Sequence, residues 1–296
     1  MKPAAFTYQR PTTLTQALAA YAAAPEAKVL AGGQSLIPLM SMRLTSVPEL
    51  IDINGIEELS HIHVERGQGV RFGAIVRHAQ LHAHAEAREV QPLLHAALSH
   101  VAHATIRNRG TTVGSIVHAD ASGEMPMIMS LLGGTLTVAS VEGRREITAE
   151  DLFIGPLETS LQAGEIAVEA FVPALPARHG VAFDEIARRH GDYALCGVGA
   201  IVGLDADGAI EHVRAGYVSV SETPAVVDLT GCFPDGELTE QGLKDAAELA
   251  LTHLEPEADI HASAEYRAQL ARTLTTRVVA AAHADAGARA NAEVTA

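Results

Sequence analysis

The chain has 296 residues, enough for about two domains. Its 21 basic and 36 acidic side chains leave a formal charge of −15, and with 4% aromatics and no tryptophan it lacks both the electrostatic footprint and the stacking platforms of a nucleic-acid binder. Two cysteines, Cys196 and Cys232, lie far apart and outside any C-x-x-C, too few for a disulfide framework or for an iron–sulfur cluster, which takes about four thiolates.

The N-terminal stretch Met1-Lys2-Pro3-Ala4-Ala5-Phe6-Thr7 lacks the apolar core of a secretion signal, and no run approaches the roughly 20 apolar residues of a membrane span, so a cytoplasmic protein is expected. Thr13-Leu14-Thr15-Gln16 has capping-box spacing, and Leu14, Ala17, Leu18 and Tyr21 fall at helical intervals until Pro25. Lys28-Val29-Leu30-Ala31 reads as a short buried strand broken by Gly32-Gly33. Ser35 stands where it can cap a helix running through Pro38, Leu39, Met40 and Met42. With the strand Leu50-Ile51-Asp52-Ile53 this predicts a small β-α-β unit.

A larger α+β segment follows from about His61 to Pro173, with a strand at Val70-Arg71-Phe72-Gly73 and helices around Leu81 and Leu94. Fifteen histidines raise the question of a metal, since His78 and His82, or His100 and His103, are spaced to share a helix face. Zinc asks for three or four ligands with support behind them, and Arg77 through Ala87 reads instead as a solvated, alanine-rich helix, so no metal site is expected. Pro173-Ala174-Leu175-Pro176 marks a linker. Beyond it, Phe183 to Ala187, Val198 to Leu204 and Val213 to Val218 read as strands, two of them joined at Asp205-Ala206-Asp207-Gly208, whose Asp-Gly pair suits a hairpin. Alanine-rich helices finish the chain, and its last dozen or so residues are expected to fray.

Two small-residue loops carry the chemistry. Ala31-Gly32-Gly33-Gln34-Ser35-Leu36 and Arg109-Gly110-Thr111-Thr112-Val113-Gly114-Ser115 each offer a run of backbone N–H groups with little side-chain bulk and hydroxyls at hand, which is what a pyrophosphate needs. Neither fits G-x-G-x-x-G or the P-loop, which argues against a Rossmann domain and a P-loop nucleotidase.

The stretch AGGQSLIPLMSMRL from Ala31 to Leu44, followed by Pro48-Glu49-Leu50-Ile51-Asp52-Ile53, resembles the first flavin loop of the medium subunits of molybdenum hydroxylases, the family of carbon monoxide dehydrogenase and xanthine dehydrogenase. The second loop with Ile116-Val117-His118-Ala119-Asp120 is similar to that family's second flavin loop. Phe153-Ile154-Gly155-Pro156 through Thr159, Leu161, Gly164 and Glu165 resembles a third segment, and Arg188-Arg189-His190-Gly191-Asp192-Tyr193-Ala194 a fourth. The resemblance runs from Phe6 to about residue 280. It implies an α+β fold: a two-part PCMH-type FAD-binding domain over 1–175, divided near 57 into a small β-α-β unit and a larger α+β unit, then a C-terminal α+β domain over 177–282 with an antiparallel sheet and helices, and a frayed tail over 283–296.

The resemblance also implies roles. Ala31, Gly32, Gly33, Gln34, Ser35 and Leu36 would hold the FAD pyrophosphate from one side, and Thr111, Gly114 and Ser115 from the other. His118 would line the pocket, Glu124 contact the adenosine ribose, Leu161 lie on the adenine and Tyr193 stand near the isoalloxazine. Two positions depart from the pattern. Val113 replaces the first of two adjacent glycines, a strained choice if φ is positive there. Asp184 stands where some relatives carry a lysine facing the flavin, which argues against an NAD acceptor. No catalytic residue is implied in this chain. The partners implied are a large subunit with the molybdenum cofactor and a small subunit with two [2Fe–2S] clusters, in a dimer of heterotrimers that oxidises CO, an aldehyde or an N-heterocycle. A stand-alone FAD oxidase or dehydrogenase, and an assembly subunit that has lost FAD, remain as alternatives.

Overall fold

The computed structural model describes residues 2–294. Three short strands open it: β1 (Thr7–Gln9), β2 (Lys28–Leu30) and β3 (Glu49–Asp52) pair in parallel in the order β1-β3-β2, with α1 (Leu14–Ala23) and α2 (Leu36–Ser41) as the crossovers. Thr13 caps α1 by accepting from the Gln16 N–H at 3.3 Å. The expected capping box closes only by half, because the Gln16 side chain accepts from the Thr12 N–H at 3.1 Å instead of turning back to Thr13. Ser35 occupies the N-cap position of α2, but its side chain makes no capping hydrogen bond.

The second unit is built on the antiparallel sheet β4-β5-β10-β6-β7, formed by β4 (Ile62–Glu65), β5 (Gly69–Gly73), β6 (Thr135–Ser140), β7 (Gly143–Thr148) and β10 (Ile166–Pro173). Six helices lie between β5 and β6: α3 (His78–Ala83), α4 (Ala85–Val90), α5 (Pro92–Leu98), α6 (Ala104–Arg107), α7 (Thr112–His118) and α8 (Glu124–Leu132). α9 (Ala149–Leu152) and the hairpin β8 (Phe153–Gly155) with β9 (Glu158–Thr159) fill the return to β10. The run from Arg77 to Ala87 is not one solvated helix. It breaks at His84 into α3 and α4, and His78, Leu81 and Ala87 are buried, because their spacing turns one side of each short helix onto the core. His100 and His103 share no helix face either, since both lie in the turn after α5.

Beyond Pro173 the chain makes an antiparallel meander, β11 (His179–Ala187), β12 (Ala194–Leu204), β13 (Ile210–Val218) and β14 (Ala225–Asp228). Asp205 shapes the β12–β13 turn by accepting from the Asp207 and Ala209 N–H groups, both at 2.9 Å, with Gly208 at φ 88°. α10 (Glu240–Leu251) and α11 (Ala264–Val294) cover one face of this sheet. The expected fraying over 283–296 is not found in the described part: α11 continues to Val294, with Ala286 buried and Asp285 accepting from the Val181 N–H at 2.9 Å, while Thr295 and Ala296 lie outside the described residues.

α8 joins the two halves. Met125, Pro126, Met127, Ile128, Met129 and Leu131 are all buried, so the helix is apolar nearly all round and sits as a wedge between the five-stranded sheet and the meander. Gly216 on β13 makes the approach possible, since a Cβ there would stand 2.5 Å from the Met127 sulfur. Six such side chains at ~1.5–3 kcal/mol each bind the halves together far more strongly than burial of the Glu124 carboxyl at the helix start opposes it. No helix among the described residues is long and apolar enough to cross a membrane.

Candidate functional site

The two small-residue loops meet. A Cβ on Gly32 would stand 2.7 Å from the Arg109 carbonyl oxygen, 2.7 Å from the Gly110 Cα and 2.8 Å from the Thr111 nitrogen, so only glycine lets the backbones touch. Gly33 has φ 71°, which turns the chain from β2 into α2. Among the described residues, none accepts a hydrogen bond from the N–H groups of Gly32, Gly33, Gln34, Ser35 or Leu36. Across from them, Thr111 caps α7 through its hydroxyl, which accepts from the Gly114 N–H at 3.2 Å, and Gly114 faces Ala31. α2 and α7 have only six and seven residues, so it is the free N–H groups and not long helix dipoles that make this an anion cradle. Val113 sits in the first turn of α7 with ordinary helical φ and a buried side chain, so the strain considered for it does not arise.

A polar strap binds the loops. Asn54, in the turn after β3, donates to the Ala31 carbonyl at 2.8 Å and accepts from Arg77, whose guanidinium also donates to the Arg109 carbonyl at 2.6 Å. Asp52 holds Asn54 in place, accepting from its N–H at 2.9 Å and from the Tyr8 hydroxyl. Burial opposes ionisation of Asp52, but the hydrogen bonds from Tyr8 and Asn54 outweigh it and hold the carboxyl below its usual range. His78 supports the second loop from behind: its N–H donates to the Gly110 carbonyl at 3.0 Å and its ring Nδ1 lies 3.1 Å from the Thr112 hydroxyl. Burial, with Arg107 nearby, pulls the His78 imidazole down to about 4, so it is neutral at pH 7.

The third and fourth segments close on the same region. The Leu157 N–H donates to the Ala119 carbonyl at the end of α7 at 3.2 Å, and Leu161 packs half-buried on the first core. Gly191 lies against the His103 ring, where a Cβ would come within 2.3 Å. Tyr193 is 63% exposed, and its hydroxyl is pushed up to about 12 by partial burial and by the nearby Asp120 and Glu124 carboxyls. Glu124 opens α8, buried beside Glu185, and burial followed by the Glu185 charge pushes it up to about 8. His118, in the last turn of α7, and Ser115 are half-buried along this wall. Gln34 folds back, its amide donating to the Gly32 carbonyl at 3.0 Å.

Asp184 does not join them. Strand alternation puts it on the face of β11 toward α11, where it pairs with Arg277 at 2.8 Å, and it is Glu185, next in sequence, that points into the cluster. The sequence reading missed Asn54, Arg77, His78, His100 and Glu185. Of these only Asn54 carried a local signal, the Asn54-Gly55 pair at a strand end.

The family described as the FAD binding domain in molybdopterin dehydrogenase matches residues 4–175. The chain belongs to the FAD-binding medium subunits of the molybdenum hydroxylases. Residues 181–282 of this medium subunit match the CO dehydrogenase flavoprotein C-terminal domain. It is 39% identical over 290 residues to the nicotine 6-hydroxylase medium subunit of Paenarthrobacter nicotinovorans, covering 98% of this chain and 100% of that one. It is 31% identical to the carbon monoxide dehydrogenase medium chain of Hydrogenophaga pseudoflava, over 96% of this chain and 99% of that one. Among solved structures, quinoline 2-oxidoreductase from Pseudomonas putida 86 superposes with a TM-score of 0.90 at 37% identity, covering 97% of this chain and 99% of that chain.

The site fits FAD on its own geometry. Five consecutive free N–H groups need an anion or water, and each such bond to a charged group is worth about 1.5–3 kcal/mol. Two cavities away from the loops fit it less well. The one lined by Ser122, Ser219, Glu255 and Arg267 holds only 190 Å³, and the one lined by Ser130, Phe153, Arg214 and Asp228 has no run of free N–H groups.

Proposed function

We propose that this medium subunit binds FAD with its pyrophosphate between residues 31–36 and 111–115, and that it passes electrons from a small [2Fe–2S] subunit to an external acceptor while a large molybdenum subunit oxidises an N-heteroaromatic substrate. The observation that carries the binding mode is the contact of Gly32 with Arg109 to Thr111, which sets two rows of small residues face to face. Bound there, FAD accepts electrons singly and releases them singly or in pairs. Ala31, Gly32, Gly33, Gln34, Ser35 and Leu36 hold the pyrophosphate through the backbone, and Thr111, Gly114 and Ser115 face it across the cradle. His118 lines the wall and Leu161 offers an apolar platform to the adenine. Glu124, at the start of α8, contacts the adenosine ribose, and Tyr193 stands near the isoalloxazine. Asp184, paired with Arg277, takes no part.

The substrate class is argued from relatives: those named for nicotine and quinoline share 39% and 37% identity with this chain, against 31% for the CO enzyme. Exposed Ile154, Leu157 and Tyr193 offer an apolar rim for a neighbouring subunit, and a dimer of such heterotrimers is the assembly proposed. Two thiols without a disulfide, Cys196 buried and pushed up to about 12 by that burial, suit a cytoplasmic complex. The stand-alone oxidase and the cofactor-free scaffold are not favoured, since every segment of the cradle is intact. The test is to purify the chain with its associated subunits and add candidate substrates without oxygen. Nicotine or quinoline is expected to bleach the flavin absorption and CO to leave it unchanged; bleaching by CO alone overturns the substrate class, and absence of FAD overturns the function.

A further inference from the structure

Arg77 is laced into the second loop before its side chain begins. The Thr112 N–H donates to the Val76 carbonyl at 3.2 Å and the His78 N–H to the Gly110 carbonyl at 3.0 Å, which makes Arg77 and Thr111 a facing pair in a short antiparallel bridge. Side chains of such a pair leave the backbone on the same side, with their Cβ atoms about 4.5–5.5 Å apart. Thr111 is a wall of the cradle, its hydroxyl accepting from the Gly114 N–H at the start of α7, so Arg77 is directed to that side too. Its guanidinium reaches the seam where the loops meet. It donates to the Arg109 carbonyl oxygen at 2.6 Å, the same oxygen that lies 2.7 Å from the place of a Gly32 Cβ.

Every acceptor that Arg77 finds there is neutral. A guanidinium has five N–H donors, and among the described residues this one gives them only to the Arg109 carbonyl and the Asn54 amide oxygen. The carboxylate nearest in the network, Asp52, accepts from the Tyr8 hydroxyl and the Asn54 N–H and meets Arg77 only through Asn54. The neighbouring charge is another cation, Arg109. Burial and Arg109 both pull the Arg77 guanidinium below its ordinary range, with Asp52 alone opposing them. A half-buried cation with neutral partners and a like charge beside it is stabilised by an anion. The chain as a whole carries a formal charge of −15 and repels anions at long range, so an anion that settles between the N–H rows depends on a local positive charge.

We propose that Arg77 is a diphosphate-binding residue, whose guanidinium neutralises the anion held between the two loops as well as fixing their spacing. The proposal rests on the FAD reading above. The N–H groups of residues 32–36 carry only partial charges and orient the diphosphate oxygens; the planar fork of Arg77, with donors left over from its contacts to Arg109 and Asn54, supplies the full charge that a doubly ionised diphosphate needs. A residue that only held the loops apart would contribute to affinity equally at all ionic strengths, whereas a charge contact weakens as salt screens it.

The test uses the full chain isolated with the subunits it assembles with and stripped of flavin. FAD is titrated by fluorescence at low and at high salt, with inorganic pyrophosphate as competitor. Arg77→Gln removes the charge and keeps an amide donor; Arg77→Lys keeps the charge and loses the fork. At low salt Arg77→Gln is expected to raise the FAD dissociation constant about tenfold or more, Arg77→Lys to raise it less, and the deficit of Arg77→Gln to shrink at high salt. Pyrophosphate is expected to displace FAD from the wild type and to compete about tenfold less well in Arg77→Gln. Arg66→Gln, in the turn between β4 and β5, leaves both constants unchanged. Equal losses in the glutamine and lysine variants that do not respond to salt overturn the proposal and leave Arg77 a spacer. Should neither variant fold, the unmutated protein decides: FAD binding that is indifferent to salt and to pyrophosphate overturns the charge contact alone. A wild type that binds no FAD overturns the functional reading and this proposal with it.

Discussion

At the scale of single residues the second loop depends on a neutral histidine. His78 is 4% exposed, and its imidazole falls from 6.5 to about 4 through burial and the nearby Arg107. Between those values the unfolded chain binds a proton that the folded chain refuses. Stability therefore falls as pH drops from 6.5 toward 4, by at most ~1.4 kcal/mol per pH unit from this group. Denaturant midpoints at pH 7 and pH 5 are expected to show a smaller acid loss in His78→Gln than in the wild type; equal losses contradict this assignment. Nothing local in the sequence marks His78, because what makes it matter is its packing on Gly110 and Thr112, more than thirty residues away. Asp184 shows the same limit from the other side. The sequence places it in a strand, but which face of the strand meets the pocket is decided by α11 and Arg277.

At the scale of elements, six of the strands (β2, β3, β5, β11, β12 and β13), the turn at Asp205 to Gly208 and the stop of α1 before Pro25 were readable from periodicity and turn chemistry, because those signals are local, whereas strands of the five-stranded sheet such as β6, β7 and β10 were not read. The break of the Arg77 to Ala87 run into two short helices was not, since alanine and histidine carry too little contrast to show which side is buried. The strap of Asn54 and Arg77 was also invisible, as it links three separate segments through side chains and carbonyls. It ties the Ala31 and Arg109 carbonyls together, holding the two N–H rows at a fixed distance before a ligand arrives. Arg77→Ala is expected to leave the fold intact and to raise the FAD dissociation constant about tenfold, or ~1.4 kcal/mol, in a flavin fluorescence titration. An unchanged constant means that the loops hold their spacing without it.

At the scale of the whole molecule, the four segments that resemble the flavin contacts of the family converge only because α8 is wedged between two sheets. That packing brings β11 and the turn before β12 onto the FAD domain, a backbone bond from the Ser219 N–H to the Ala121 carbonyl at 2.9 Å fastens the seam, and the buried Glu124 and Glu185 lie at its centre. The order of motifs along the chain made the family legible, but the acidic cluster at the seam belongs to neither half alone. The central claim is that the touching loops form the FAD cradle, and Gly32→Val tests it most directly, because its side chain would enter the Arg109 to Thr111 backbone, whereas Gly32 itself belongs to none of the three hydrophobic cores. Released flavin is measured per chain in wild type and variant, with circular dichroism as the check on folding. The account predicts an equivalent of FAD in the wild type and none in a folded Gly32→Val; full FAD content in the folded variant would contradict it.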